Sequence, residues 1–317
     1  MKSIGGYFSL ELATGAHYHK DAIRLQTSRN CFEYVLLTKK YKKVHIPYYT
    51  CEVMLEPLKR NHIEYQFYHV NELLEPLNTI DLSAGEAFLY TNYFGIKNKA
   101  VEHLSKIYGK QLVVDSAQAF FSKPVNGIDT FYSARKFLGV ADGGYLYTDR
   151  ISTDTFEQDI SFDRMSHLLK RIDLSAEVAF EEFKKNDSSL ENMPIKTMSK
   201  LTDSILRGIN YESVRKIRMD NFRILHTALK NENLLSFDVF DDEMVPMIYP
   251  FWGRDKGLRK KLISNRIYVP TYWPNVFIWC SEQHLDYTLA ESIIPLPVDQ
   301  RYSAEDMQTL LQIIKFH

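Results

Sequence analysis

Lys136 lies in the run Ser133-Ala-Arg-Lys-Phe-Leu-Gly-Val-Ala-Asp-Gly-Gly144, just after a strand-like segment and ahead of a Gly-Gly turn. Upstream, Asp115 closes the apolar run Gln111-Leu-Val-Val-Asp115. A lysine amine condenses with an aldehyde, and a carboxylate can hold a heterocyclic nitrogen protonated. Together these are what a pyridoxal phosphate site needs. Ser133 offers a hydroxyl for a phosphate group. Gly143 and Gly144 permit a tight turn beside a bulky ligand. The neighbouring Arg135 is a second cation, but arginine does not condense with the aldehyde. Taken alone, Lys136 reads as a solvated loop lysine, and it is these neighbours that weigh against that reading.

The residues around Asp115 point the same way. Asp115 is followed by Ser116-Ala-Gln118-Ala, small residues that let a flat ring approach. Asp115 could instead cap a strand or turn. Gln118 suits either a hydrogen bond to the cofactor's phenolic oxygen or a plain loop position. If a helix starts at Thr27-Ser28-Arg29-Asn30 and not at Asp21, its free backbone N–H groups, around Ser28 and Arg29, would attract phosphate. The bland alternative is a helix cap. Tyr49, following Val44-His-Ile-Pro-Tyr48, is either a stacking partner for a pyridine ring or a core tyrosine. Tyr272 and Trp273 either line a substrate cleft or fill a small-domain core. His17 and His19 form a His-x-His pair without carboxylate or cysteine partners nearby in sequence, so no metal site is expected.

These side chains need a scaffold, and the chain alternates strands with helices. Strand-like runs are Val44 to Pro47, Glu64 to His69, Ala87 to Thr91, Leu112 to Asp115 and Gly144 to Thr148. Helical spacing marks Asp21 to Thr38, Cys51 to Asn61 and Lys99 to Tyr108, the last stopped by Gly109. This order predicts an α/β fold, a mainly parallel sheet sandwiched by helices. Ligands bind such sheets at the carboxyl ends of the strands, where Asp115 stands. From Ile151 to Leu206 the pattern is helical and charged. Asn210 to Lys230 reads as one long helix joining a large domain, residues 1–209, to a small α+β domain, residues 210–317. The small domain shows three strand-like pieces, Val245 to Pro250, Arg266 to Pro270 and Ile293 to Pro297. A helix near Lys256 to Ser264 lies between the first two, and Ser303 caps a final helix.

Composition narrows the classes. The 317 residues are 45% hydrophobic and 25% charged, which fits a soluble globular chain of two domains, or of one large domain with an appendage. A net charge of −1 gives no reason to expect nucleic acid as a partner. Cys31, Cys51 and Cys280 are scattered and odd in number, which fits a reducing compartment. The N-terminal Met-Lys-Ser-Ile-Gly-Gly-Tyr-Phe has no long apolar stretch, and no run reaches membrane-spanning length. A cytoplasmic location is expected.

Along nearly its whole length the chain resembles the DegT/DnrJ/EryC1/StrS family of pyridoxal-phosphate-dependent sugar aminotransferases of fold type I, in a shorter bacterial branch. Ile4-Gly-Gly-Tyr-Phe-Ser-Leu-Glu-Leu12 resembles that branch's opening, and Thr27-Ser28-Arg29-Asn30 stands where the family has its phosphate-binding turn. Asp115-Ser-Ala-Gln118-Ala resembles Asp-Ala-Ala-His/Gln-Ala. Lys136 to Gly144 matches Lys-Asn-Leu-Thr-Thr-Gly-Glu-Gly-Gly in spacing, with Asp142 for Glu. Met198-Ser, Arg218-Met-Asp-Asn-Phe, Tyr272-Trp-Pro and the end Leu296-Pro-Val-Asp-Gln-Arg-Tyr-Ser resemble later landmarks. The lysine segment is the most specific of these. Before Met-Ser the family has an Asn and an Arg that reach the partner subunit's phosphate. This chain has Pro194-Ile-Lys196-Thr197, so either Lys196 replaces that contact or the contact is lost. Arg29 is also bulkier than the family's residue.

The resemblance implies a homodimeric transaminase acting in surface polysaccharide or glycan biosynthesis. Lys136 would hold pyridoxal 5'-phosphate and move the proton, and Asp115 would hold the ring nitrogen protonated. Glutamate is the expected amino donor and a nucleotide-linked keto sugar the expected acceptor. Dehydration at a sugar carbon goes with loss of the lysine, so the presence of Lys136 favours transamination. Two alternatives stand: a small non-sugar keto substrate, or a non-catalytic binding or regulatory relative.

Overall fold

The structure, a computed structural model, describes residues 4–237 and 244–315. Met1 to Ser3 of the N-terminal stretch lie outside the described residues. The elements run β1 (Ile23–Leu25), α1 (Ser28–Lys39), β2 (Lys43–Pro47), α2 (Leu55–Arg60), β3 (Glu64–Tyr68), β4 (Glu86–Thr91), α3 (Asn98–Tyr108), β5 (Leu112–Ser116), β6 (Asp129–Ser133) and β7 (Gly144–Tyr147). They continue as α4 (Ser166–Asp173), α5 (Phe180–Ser189), α6 (Lys200–Arg207), α7 (Tyr211–Leu229), β8 (Ile248–Phe251), α8 (Leu258–Ser264), α9 (Val276–Trp279), α10 (Leu285–Ser292), β9 (Ile294–Pro297) and α11 (Ala304–Lys315).

β1 to β7 form one sheet in the order β1-β7-β6-β5-β4-β2-β3. β3, β2, β4, β5 and β6 are parallel neighbours, and β7 alone pairs antiparallel with both its neighbours. Period-two alternation sorts its side chains onto two faces. Val44, Ile46, Ala87, Leu89, Val113, Phe131 and Leu146 pack under α1 and α2. Phe88, Tyr90, Leu112, Val114, Tyr132 and Tyr145 face the other cluster. That second cluster continues through Phe222 and Leu225 of α7, Tyr249 of β8, Leu296 of β9 and Leu310 of α11. Both faces are therefore dry, and each large apolar side chain buried there contributes about 1.5–3 kcal/mol.

Chain order reverses across the sheet: β3 lies outside β2, and β4, β5 and β6 then step the other way. Such a reversal opens a crevice at the carboxyl ends of the strands. β8 and β9 form a separate antiparallel pair. That pair, reached through α7, supports a proposed domain boundary at residues 209/210, although the second apolar cluster runs through both parts. Among the described residues, no helix is long and apolar enough to cross a membrane.

Two sequence expectations are corrected, at the first helix and at Arg266 to Pro270, and two stretches read as helical are resolved into their parts. The first helix starts at Ser28 and not at Asp21, because Ile23–Leu25 is captured as an edge strand on β7 and Thr27 caps the helix by accepting from the Asn30 N–H at 3.1 Å. Cys51 to Asn61 is a 3-10 turn, Glu52–Met54, followed by the short α2. Arg266 to Pro270 is not a strand. The Arg259 guanidinium takes the Val269 and Pro270 carbonyls, at 3.4 and 2.6 Å, and Arg266 has a φ of 60°, so no ladder forms there. The stretch from Ile151 to Leu206 holds three separate helices, α4 to α6, with irregular segments between them.

Candidate active site

β5 ends at the crevice and carries Asp115 on the face covered by α1, in phase with Val113. Its neighbours in register are Thr91 of β4 and Phe131 of β6. The carboxylate is buried, and its Oδ1 accepts from the Ala117 N–H at 2.8 Å. Burial pushes the Asp115 carboxyl up to about 6, against the pull of that N–H and of the Lys136 charge. Beside it, the Thr91 hydroxyl is buried without a hydrogen-bond partner among the described residues. A polar ligand arriving at Asp115 would meet an unused hydroxyl there.

Lys136 ends a 3-10 turn, Ala134–Lys136, in the link from β6 to β7, and its side chain is exposed on this chain. Its charge acts on three groups: Asp115, Cys51 and Asp187. The ammonium therefore stands among the ends of β5, β2 and α5. Burial pushes the Cys51 thiol up, Lys136 pulls it down, and Asp115 adds to the rise. On the opposite side, Arg135 pairs with Asp187 of α5 at 2.8 Å. Desolvation alone would raise the Asp187 carboxyl, but Arg135, Lys136 and Arg29 outweigh it and the group lies below its ordinary value. Three cations thus converge on one carboxylate beside the start of α1. An anionic group such as a phosphate would find the same field.

The start of α1 is brought there by Gly144. An added Cβ at Gly144 would lie 2.6 Å from the Thr27 carbonyl carbon and oxygen and 2.9 Å from Cys31 Sγ, so only glycine lets the helix N-terminus touch β7. Gly144 is also the register partner of Ser133, whose side chain shares the α1 face with Phe131. Ser133, Ser28 and the first free N–H groups of α1 are thereby gathered at one corner. Gly144→Ala should push Thr27 away, weaken cofactor binding at least about tenfold and cost about 1–3 kcal/mol. Gly139→Ala is the control, because its added Cβ meets nothing nearer than Leu168 Cδ2 at 3.8 Å. Equal binding and equal melting temperature in the two variants would sink this account of the corner.

Two buried charges hold the lysine link in place. Asp142, wholly buried, accepts from the Ser199 N–H and hydroxyl, both at 2.8 Å, and from the Thr202 hydroxyl. It ties the Gly143-Gly144 turn to the N-terminus of α6 and is a positioning residue. Gly143 has a φ of 120°, which favours glycine. Arg218 of α7 is equally buried. It donates to the carbonyls of Phe137, Met247 and Pro246 and to Gln300 Oε1, and it stacks 4.5 Å over the Phe137 ring. Gln300 Nε2 also donates to the Phe137 carbonyl, at 2.7 Å. The residue next to Lys136 is therefore clamped from the C-terminal part of the chain. Desolvation lowers the Arg218 guanidinium to about 10.

The other residues singled out by sequence are placed as follows. Gln118 Oε1 accepts from the Phe94 N–H at 3.0 Å, so its carbonyl oxygen braces the turn after β4. Tyr49 is wholly buried, stacked on Tyr93 and edge-on to Trp273, with its hydroxyl unpartnered among the described residues. Arg29 is committed to Glu56 of α2 at 2.7 Å. Lys196 pairs with Glu157 at 3.0 Å. His19 donates from Nε2 to the Phe120 carbonyl at 2.7 Å, and His17 donates from Nε2 to Asp203 at 3.0 Å and accepts at Nδ1 from the Tyr145 hydroxyl at 2.7 Å. Trp273 is buried, with Tyr272 beside it. Sequence reasoning missed Cys51, Glu56 and Asp187 as neighbours of the site. A lone cysteine and two helix-surface carboxylates carry no local signal.

No protein-family model matches the chain, and no curated protein matches it in sequence. Solved structures do match its fold. The sugar aminotransferase CalS13 from Micromonospora echinospora superposes with a TM-score of 0.64 at 14% identity, over 93% of this chain and 86% of that one. A DegT DnrJ EryC1 StrS aminotransferase from Brucella abortus gives 0.63 at 16% identity, over 93% and 85%. NtdA from Bacillus subtilis, solved with bound cofactor PMP, gives 0.61 at 13% identity, over 93% and 73%. The α/β architecture built around Asp115 and Lys136 is thus the fold of these aminotransferases.

Proposed function

We propose that this chain is a pyridoxal-phosphate-dependent aminotransferase of the DegT/DnrJ/EryC1/StrS kind. One observation carries the reading: the charge of Lys136 reaches a buried Asp115 at the carboxyl edge of the sheet, next to a cationic corner at the start of α1. The residues present suit the cofactor, since the Thr91 hydroxyl is unused and Lys136 stands in one field with Arg135 and Arg29, which are held in place by Asp187 and Glu56. When bound, pyridoxal phosphate supplies an aldehyde carbon and an electron-accepting ring. Ser28, Ser133 and the α1 N-terminus would hold its phosphate, with Arg135 and Arg29 near enough to add positive field. Asp115 would keep a proton on the ring nitrogen, and the dry strands around it strengthen that charge pairing. Lys136 would take the proton from the amino donor's α-carbon and return it at the next carbon along. Gln118 and Tyr49 support the site from its walls.

The fold neighbours that act on sugars support a keto sugar as acceptor. We take the donor to be glutamate and the acceptor to be nucleotide-linked, within glycan biosynthesis in the cytoplasm. Ile160, Phe162, Ile172, Leu174 and Val178, in α4 and the segments on either side of it, are all exposed, and so many exposed apolar side chains favour a homodimer. The test uses the purified chain with added pyridoxal phosphate. A visible band should form, glutamate should discharge it, and nucleotide-linked keto sugars should restore it, with the protein sedimenting as a dimer. A chain that forms the band but never responds to any amino acid would instead be a binding or regulatory relative.

A further inference from the structure

Away from Lys136, three side chains from distant parts of the sequence converge. His69 follows β3, Cys280 follows α9, and Asp286 lies in the first turn of α10. Their donor atoms lie within 4.8 Å of one another, and no other such group of three occurs among the described residues. The set mixes imidazole, thiol and carboxylate. That mixture suits Zn(II), which takes N, S and O donors, whereas Mg(II) and Ca(II) want oxygen alone. Bond lengths of about 2.0–2.3 Å place tetrahedral donors about 3.3–3.8 Å apart. The His69 and Asp286 atoms, now 2.7 Å apart, would open by about half an ångström, and the widest pair would close by about one.

The surroundings orient each ligand as a built site requires. Asp286 is wholly buried, and its Oδ1 accepts from the Val70 N–H at 3.3 Å, which leaves Oδ2 directed at His69. The His69 ring is held between Tyr48, stacked at 4.6 Å, and His284, stacked at 4.5 Å and 9°. Cys280 is buried and unpaired with any other cysteine. His69 is one-third exposed, so an ion has a path in from solvent.

We propose that His69, Cys280 and Asp286 form a Zn(II) site with an open fourth position, which clamps the end of β3 to the C-terminal α9 and α10. Binding releases the Cys280 thiol proton to solvent, and the proton that His69 Nδ1 shares with Asp286 Oδ2 is given up as the imidazole takes the tautomer protonated at Nε2, so the His69–Asp286 hydrogen bond is replaced by two metal bonds. Because the ligands come from both ends of the chain, zinc would stabilise the folded form and not the unfolded one.

The experiment is a cobalt titration of chelator-treated full-length protein, read as difference spectra. One equivalent of Co(II) should give a near-ultraviolet thiolate-to-cobalt charge-transfer band and intense visible bands of tetrahedral type, both removed by Zn(II). Cys280→Ser should abolish the charge-transfer band, and Asp286→Asn should weaken binding at least about tenfold. Zn(II) should raise the melting temperature of wild type but not of Cys280→Ser. Should Cys280→Ser fail to fold, His69→Gln, at the more exposed ligand, serves in its place and should lose the tetrahedral spectrum. Absence of the bands at micromolar cobalt overturns the proposal. So does a charge-transfer band that survives in Cys280→Ser, since the thiolate would then be Cys31 or Cys51.

Discussion

Lys136→Ala should lose the visible absorption of lysine-bound cofactor and slow the glutamate half-reaction by about 10⁴-fold. The side chain is exposed on this chain, so the unfolding free energy should stay within about 0.5 kcal/mol of wild type. The cationic corner keeps Arg135 and Arg29, so phosphate itself should still bind there. Removing the ammonium also deletes one of the influences that hold Asp115 down, so the Asp115 carboxyl should titrate higher than in wild type. A small primary amine supplied in solution should restore part of the half-reaction, which a merely structural lysine would not allow. Retention of the visible band in Lys136→Ala would show that the amine comes from elsewhere.

The second large effect belongs to Asp115→Asn, and it runs in two directions. The carboxyl is pushed from 3.8 up to about 6, mainly by burial. A group raised in the folded state gives stability that is fully present below pH 3.8 and is lost as pH rises through about 6. Above that window the ionised carboxylate costs the cofactor-free protein on the order of 3 kcal/mol. Asparagine keeps an oxygen for the Ala117 N–H and removes the charge. Cofactor-free Asp115→Asn should therefore melt higher than wild type at pH 8, with the gap closing below pH 4. The same variant should lose about 10²–10⁴-fold in the half-reaction, because nothing else at that depth can hold a proton on the ring nitrogen. This is the trade between stability and activity expected where a buried charge is kept for its chemistry. Equal melting curves across that pH range, or full activity, would remove Asp115 from the proposed role.

Much of the scaffold was legible because its signals are local. Gln111 to Asp115 reads as a buried strand from composition, and Lys99 to Gly109 reads as a helix with its stop. The start of α1 was legible only as an alternative. Whether Ile23–Leu25 joins a helix or a strand depends on the free edge of β7, more than a hundred residues away. The second strand expected in the small domain, at Arg266 to Pro270, failed for a similar reason, since Arg259 takes the carbonyls that a ladder would have needed.

What the sequence by itself determined is the pair of reactive groups and the glycines that make room for them. Lys136, Asp115 and Gly143-Gly144 are intelligible from residue type and order, since amine chemistry, carboxylate chemistry and freedom of φ belong to single residues. What only the tertiary structure decided is which charges share a space. Asp187 among three cations, Arg218 on the Phe137 carbonyl and the His69–Cys280–Asp286 cluster each join segments far apart in the chain. The reason is physical: electrostatic fields and metal coordination depend on distances of a few ångströms, and those are set by how the sheet, its helices and the C-terminal elements pack.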